Sequence, residues 1–194
     1  MCCNNPSKVI DPVRSRCLGV RVAAPTELEV CKVLRSVADK ERLVLPEKLA
    51  ARIAKYSTRN VRRAVLALEG CQVRTKGGDG PLSEDAPLVL PDWETYIHEI
   101  ANSITADQSP QRLLQVRDKL FELLSKCVPA DVIIKTLTNA LITNLDDTLK
   151  PQLIASAALY EHRIQLGSKD IFHLEAFVAK FMALYKKYLL ALFD

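Results

Sequence analysis

The chain has 194 residues, of which 48% are apolar and 26% charged, with 27 Lys/Arg against 23 Asp/Glu for a net charge of +4. That balance belongs to an ordinary globular protein and excludes a chain disordered throughout, a collagen and a mucin-like stalk. No apolar run approaches the roughly 18 residues of a membrane span. Met1-Cys2-Cys3-Asn4-Asn5-Pro6 has neither the charged start nor the apolar stretch of a signal peptide, so a soluble intracellular protein is expected.

The charge is uneven. Residues 1–80 carry 16 Lys/Arg and 8 Asp/Glu, a net +8, and residues 81–194 carry 11 and 15, a net −4. The two parts therefore suit different partners, and the basic part suits phosphate. The six cysteines, Cys2, Cys3, Cys17, Cys31, Cys71 and Cys127, contain no C-x-x-C pair. They lack zinc-site spacing and read as reduced thiols, three of them in helical patterns as small packed groups.

In chain order, a short non-helical start comes first. Residues 16–22 then alternate, with Leu18, Val20 and Val22 on one side and Cys17, Gly19 and Arg21 on the other. This is the best strand candidate in the chain, but one strand forms no sheet and must lie at an edge or pair with a segment absent here. That hints at a piece of something larger. Three short helices follow. Thr26 and Glu29 have capping-box spacing before Val30, Val33, Leu34 and Val37. Pro46 starts a second helix bearing Leu49, Ala50 and Ile53, and Asn60 caps a third with Val61, Ala64, Val65 and Leu68 on one side.

Residues 75–87 hold three of the six glycines and two prolines without helical period, and read as a mobile linker. The glycines do not form a phosphate loop, because no strand precedes them and no Lys-Ser/Thr follows. Beyond them the pattern is helical throughout. Asp92 is expected to cap a helix with Trp93, Ile97, Ile100 and Ile104. Ser109-Pro110 starts one with Leu113, Val116, Leu120 and Leu124, and Pro129 one with Val132, Ile133, Leu137 and Leu141. Residues 147–166 form a fourth, with Asp146-Asp147 as its cap and Gly167 at its end, and residues 170–193 a fifth. On that last helix, Phe177, Phe181, Leu184 and Tyr188 form a stripe at three- and four-residue steps that reads as core, with Lys180, Lys186 and Lys187 beside it. A second side of so apolar a helix would suit a partner subunit.

Arg59, Arg62 and Arg63 surround the start of the helix at Asn60. Cations there oppose the helix dipole, and an anion nearby, above all phosphate, would reconcile them. A solvated basic face is the plainer reading. Arg14-Ser15-Arg16-Cys17 is a second cluster, able to project an arginine toward a phosphoryl group in a neighbouring subunit or to form a surface ion pair. His98, His162 and His173 are far apart and lack a nucleophile pattern, and no Gly-x-Ser-x-Gly occurs. No self-contained hydrolase or transferase site is legible.

The run from Cys3 through Ser15-Arg16-Cys17 resembles the segment of replication factor C clamp-loader small subunits that leads from sensor 1 to the Ser-Arg-Cys motif. Arg59-Asn60-Val61-Arg62-Arg63-Ala64 resembles their sensor 2. Residues 160–182, from Tyr160-Glu161-His162-Arg163 to Lys180-Phe181-Met182, resemble the third-subunit branch of that family. The resemblance covers essentially the whole chain.

It implies an all-α chain cut from an AAA+ protein: the tail of the ATPase core at 1–22, a three-helix lid at 23–75, a linker at 76–90 and a five-helix oligomerisation collar at 91–194. Residue by residue, it implies that Asn4 is the sensor 1 residue near the γ-phosphate, Arg16 an arginine finger acting in trans, and Arg62 a lid contact to the phosphates. It implies ATP with Mg²⁺ as cofactor of the intact complex, other clamp-loader subunits as collar partners, the sliding clamp and primer–template DNA as partners of the assembly, and a nuclear location with no membrane partner. The chain has no Gly-x-x-x-x-Gly-Lys-Ser/Thr and no apolar strand ending in an acidic pair, so the isolated chain is expected to need no cofactor and to lack ATPase activity. The alternatives are a helical scaffold without ATP coupling and, resting only on the +8 of the first 80 residues, an independent nucleic-acid-binding protein.

Overall fold

The computed structural model describes residues 1–75 and 82–193. Among the described residues every regular element is a helix. A 3₁₀ turn at Pro6–Lys8 precedes α1 (Asp11–Arg14), α2 (Glu27–Lys40), α3 (Glu47–Tyr56), α4 (Val61–Thr75), α5 (Asp92–Ala106), α6 (Pro110–Ser125), α7 (Ala130–Ile142), α8 (Lys150–Leu166) and α9 (Asp170–Phe193). The chain divides into two compact units, Met1–Val89 and Leu90–Asp194.

The strand expected at 16–22 is absent. The start of the chain is partly helical, and residues 18–26 run as irregular chain. Leu18, Val20 and Val22 are 91, 76 and 89% exposed. The alternation is real, but among the described residues no neighbour supplies the ladder hydrogen bonds that would make it a strand.

In the first unit most local signals work as written, although Val33, expected on the apolar face of its helix, is exposed. The Thr26 side chain accepts from the Glu29 amide and Glu29 returns the bond to the Thr26 backbone, a complete capping box. The Thr26 amide, together with its hydroxyl and the positive charges of Lys32 and Arg59, holds the Glu29 carboxyl below its usual range. α2 buries Val30, Leu34 and Ala38, and α3, which Pro46 begins, buries Leu49, Ala50, Ile53 and Ala54. α4 adds Ala64, Ala67, Leu68 and Cys71 to the same core.

The expected linker behaves differently where it is described; residues 76–81 lie outside the described residues. Leu82 and Ala86 are buried in the core of the three helices, with Leu88 packed against it. The Arg52 guanidinium donates to the Glu84 carbonyl at 2.9 Å, Lys48 pairs with the Glu84 carboxylate at 2.6 Å, and the Cys71 thiol donates to the Pro87 carbonyl at 3.7 Å. Val89 lies so close to α4 that a Cβ on Gly70 would come within 3.2 Å of its own Cβ. Residues 82–89 are thus a strap on the first unit rather than a free connection.

The second unit has one core, formed by α5–α9. Its largest fully buried side chains include Phe177, Phe181, Ile97, Ile100, Ile104, Leu120 and Ile133. Of the stripe on α9, Phe177 and Phe181 are core, while Leu184 and Tyr188 are only half-buried, and Tyr160 meets Phe177 edge-on at 6.2 Å. Ser109 caps α6 by accepting from the Arg112 amide at 3.2 Å. Two expected caps fail. Asp92 occupies the first helical position behind Pro91, and α8 begins at Lys150 with Leu149 as its cap. Asp147 instead accepts from Lys150 at 2.7 Å, and Asp146 accepts from the Tyr188 hydroxyl, tying the α7–α8 connection to α9.

Of the cysteines, Cys71 is buried and Cys31 half-buried. Cys127 is exposed just past α6, in the left-handed region at φ 59°. Its amide donates to Leu124 and that of Val128 to Leu123, a helix-ending pair of bonds that glycine would make with less strain. Gly167 serves another purpose. Its backbone is ordinary, but a side chain there would collide with the His173 ring and stand 3.0 Å from the Arg163 carbonyl.

Candidate functional site

The candidate site lies in the first unit, around the start of α4 and the segment before α2. Asn60 caps α4, its Oδ1 accepting from the Arg63 amide at 3.2 Å. The three arginines that cluster here in sequence have three different fates. Arg59 donates from Nε to the Pro25 carbonyl at 2.9 Å and from a terminal nitrogen to the Ala24 carbonyl at 2.7 Å. The Arg63 guanidinium lies over the Tyr56 ring, 4.3 Å from its centroid. Arg62 is exposed and makes no hydrogen bond or ion pair among the described residues. The cations flanking this helix start are therefore mostly absorbed by the fold, and the fork of Arg62 stays available.

The second cluster divides in the same way. Arg14 pairs with Asp11 one turn earlier on α1. Arg16 is exposed, its side chain donating to the Pro12 carbonyl at 2.8 Å. Asn5 is used structurally, its Oδ1 accepting from the Ser7 amide at 2.9 Å to cap the first turn. Asn4 is exposed. Asn4, Arg16 and Arg62 share no hydrogen bond or ion pair with one another, so this unit does not gather them into one site.

The residues fit phosphate oxygens and not a metal. Exposed guanidinium forks suit an oxyanion. Among the described residues no group of three His, Cys, Asp or Glu could hold a metal ion. A small cleft in the second unit is lined by Leu145, Leu149, Leu153, Phe181, Leu184 and Tyr185, an apolar set unsuited to a triphosphate. No described helix is long and apolar enough to cross a membrane.

Spacing in the sequence does not reveal the role of Arg59, because its acceptors lie 34 and 35 residues away. The Tyr96 hydroxyl, which donates to Glu122 at 2.7 Å, was equally hidden. That bond raises the tyrosine pKa to about 12, and Lys126, followed by the tyrosine, pulls the Glu122 carboxyl down.

Two family models match the chain. The one described as replication factor C subunit 3, C-terminal domain, covers residues 93–189, half of the chain. The chain belongs to the replication factor C subunit family. The other, an AAA+ ATPase lid domain of the RCF1/5-like type, covers residues 32–73. Among curated relatives, replication factor C subunit 3 of Mus musculus is 53% identical over 189 residues, 97% of this chain and 52% of the relative. The Homo sapiens subunit 3 is 52% identical over the same shares. Subunit 3 of Arabidopsis thaliana is 49% identical over 193 residues, 100% of this chain to the nearest per cent and 53% of the relative. The chain spans about half the length of the curated relatives it matches.

Proposed function

We propose that this chain serves a DNA polymerase clamp loader, a nuclear assembly of replication factor C subunits that uses ATP to load the sliding clamp onto primer–template DNA. On this reading the first unit, within residues 23–75, acts as the AAA+ lid, and residues 91–194 act as the oligomerisation collar. Residues 1–22 belong to the end of an ATPase core, where the alternating Leu18, Val20 and Val22 would pair with a sheet. The observation that carries the reading is the fate of the arginines at α4: Arg59 and Arg63 are engaged within the fold, while Arg62 is left exposed in the first turn of a capped helix.

Each residue has a definite task. Arg62 offers its planar fork to phosphate oxygens from the lid. Arg16 reaches the nucleotide held by the adjacent subunit and stabilises the charge of the phosphoryl group in flight. Asn4 orients the attacking water near the γ-phosphate. ATP with Mg²⁺ supplies the transferable phosphoryl group and the metal charge; this chain's residues supply donors.

The second unit supports association. α8 exposes Ile154, Leu159 and Leu166, with Ala155 and Ala158 also exposed, although the opposite side of the same helix enters the core. A helix apolar on both sides suits burial between its own bundle and a neighbour.

The test is reconstitution. The isolated chain should hydrolyse no ATP yet co-purify with co-expressed clamp-loader subunits, and Leu159→Glu with Leu166→Glu should abolish co-purification without unfolding the chain. In the assembly, Arg16→Ala and Arg62→Ala should each slow ATP-driven clamp loading. Wild-type loading by both variants, with association intact, would leave the scaffold reading in its place. A salt-dependent DNA affinity of the isolated chain would instead favour the nucleic-acid-binding reading.

A further inference from the structure

Ser109-Pro110-Gln111-Arg112 lies where the chain leaves α5 and enters α6, and it contains the only Ser-Pro or Thr-Pro pair in the sequence. Ser109 is extended, at φ -80° and ψ 153°. It is half-buried, and Pro110 and Gln111 are exposed. The Ser109 hydroxyl donates to Asp107 Oδ2 at 2.8 Å and accepts from the Arg112 amide at 3.2 Å. A terminal nitrogen of the Arg112 side chain donates to Gln115 at 2.8 Å. Its Nε is buried without a hydrogen-bond partner, 3.7 Å from Asp107 Oδ2. A guanidinium nitrogen closed to water and given only a distant carboxylate is an unused donor for an anionic oxygen.

We propose that Ser109 is a phosphorylation site for a proline-directed kinase that selects a basic residue three positions on. Proline after the serine leaves no N–H unpaired in the kinase cleft, and Arg112 is the basic residue. The Ser109 oxygen attacks the γ-phosphorus of the kinase's ATP. The new Oγ–P bond replaces the bond to the β–γ bridging oxygen, ADP leaves, and the hydroxyl proton passes to the kinase's catalytic carboxylate. Engagement straightens residues 110–112, which form the first turn of α6. The backbone amides that let go are those of Arg112, bonded to Ser109 Oγ, and Leu113, bonded to the Ser109 carbonyl, both at 3.2 Å and at the long end of the N–H···O range. Afterwards the phosphate takes the cap position. A dianion is favoured at a helix start and disfavoured beside a carboxylate. The Asp107 side chain is 47% exposed, so it turns to water and Arg112 Nε closes on the phosphate. The proposal does not depend on the phosphate contacts assigned to Arg16 and Arg62.

The experiment treats the native full-length subunit with ATP and a cyclin-dependent kinase, an enzyme of this selectivity, and maps phosphate by mass spectrometry. Ser109 should approach one phosphate per chain, and Pro110→Ala should all but abolish the modification. Arg112→Gln should slow it about tenfold or more, whereas Arg112→Lys should stay within about threefold of wild type. Mapping on the wild-type chain needs no variant, so a variant that fails to fold leaves the test intact. Phosphorus NMR then titrates the phosphoserine. Its second ionisation, ordinarily at about pH 6, should lie lower in the native protein and return toward the ordinary value in Arg112→Gln. A native chain left unmodified at Ser109, while the unfolded chain accepts phosphate there, overturns the site. Equal rates for Arg112→Gln and wild type overturn the selection by Arg112. A phosphate ionisation that Arg112→Gln does not move overturns the capture of the phosphate by Arg112.

Discussion

Truncating Leu82 to alanine should loosen the whole first unit, although the residue lies seven positions beyond the last helix of that unit. Leu82 is 7% exposed and sits in the core built by Val30, Leu34, Leu49, Ile53 and Leu68. Leucine-to-alanine changes in cores cost about 2–5 kcal/mol, the lower values where the site can collapse. Leu82 belongs to a strap that can settle inward, so about 2–3 kcal/mol is expected. A change of that size lowers amide protection roughly thirty- to 150-fold wherever exchange proceeds through opening of the unit. Hydrogen exchange read by mass spectrometry on peptides from α2, α3 and α4 measures it directly. Peptides from α7, which belongs to the other core, serve as the internal reference. Ser83→Ala, at an exposed neighbouring position, should stay within about 0.5 kcal/mol of the parent. Protection in α2–α4 that changes less than about threefold would refute the reasoning and return residues 82–89 to the status of a linker.

Other consequences follow from single positions. Cys127→Gly should raise the stability of the second unit by about 1 kcal/mol in urea denaturation, since a left-handed residue with a side chain is strained where glycine is not. Gly167→Ala should lower it, because the added methyl meets the His173 ring and the Arg163 carbonyl; His173→Ala in the same chain should recover part of the loss. Glu29→Gln should flatten the acid limb of the first unit's stability. The native carboxyl is held below its ordinary value of 4.5, so its contribution is complete above that pH and fades as the pH falls through the depressed value. Thermal melts of parent and variant between neutral and acid pH would converge at the acid end if this is right.

Much of the fold was legible because helix signals are local. Thr26 with Glu29, Pro46, Asn60, Ser109 and Pro129 announce their helices within four residues, and the apolar steps that follow them predict which side is buried. Failures came where the deciding partner lies far along the chain. The alternation of Leu18, Val20 and Val22 reads as a strand, but a strand is a relation between segments and no described segment completes it. The Gly/Pro composition of residues 75–87 masked Leu82 and Ala86, whose burial depends on a groove assembled from three helices. Asp146 has the chemistry of a cap, yet the Tyr188 hydroxyl, 42 residues away, claims it. The candidate site was legible as a cluster of arginines, while its division was not: composition places Arg59, Arg62 and Arg63 together, and only the tertiary fold shows two of them engaged and one exposed.

The most direct measurement of the central claim is the position of two side chains in the assembled ring of subunits bound to a non-hydrolysable ATP analogue, resolved well enough to place guanidinium groups. The account predicts Arg16 within hydrogen-bonding distance, about 3 Å, of a γ-phosphate oxygen held by the adjacent subunit, with Arg62 contacting phosphate from its own lid. Both guanidinium groups turned to bulk solvent, far from any triphosphate in a fully assembled ring, would contradict it.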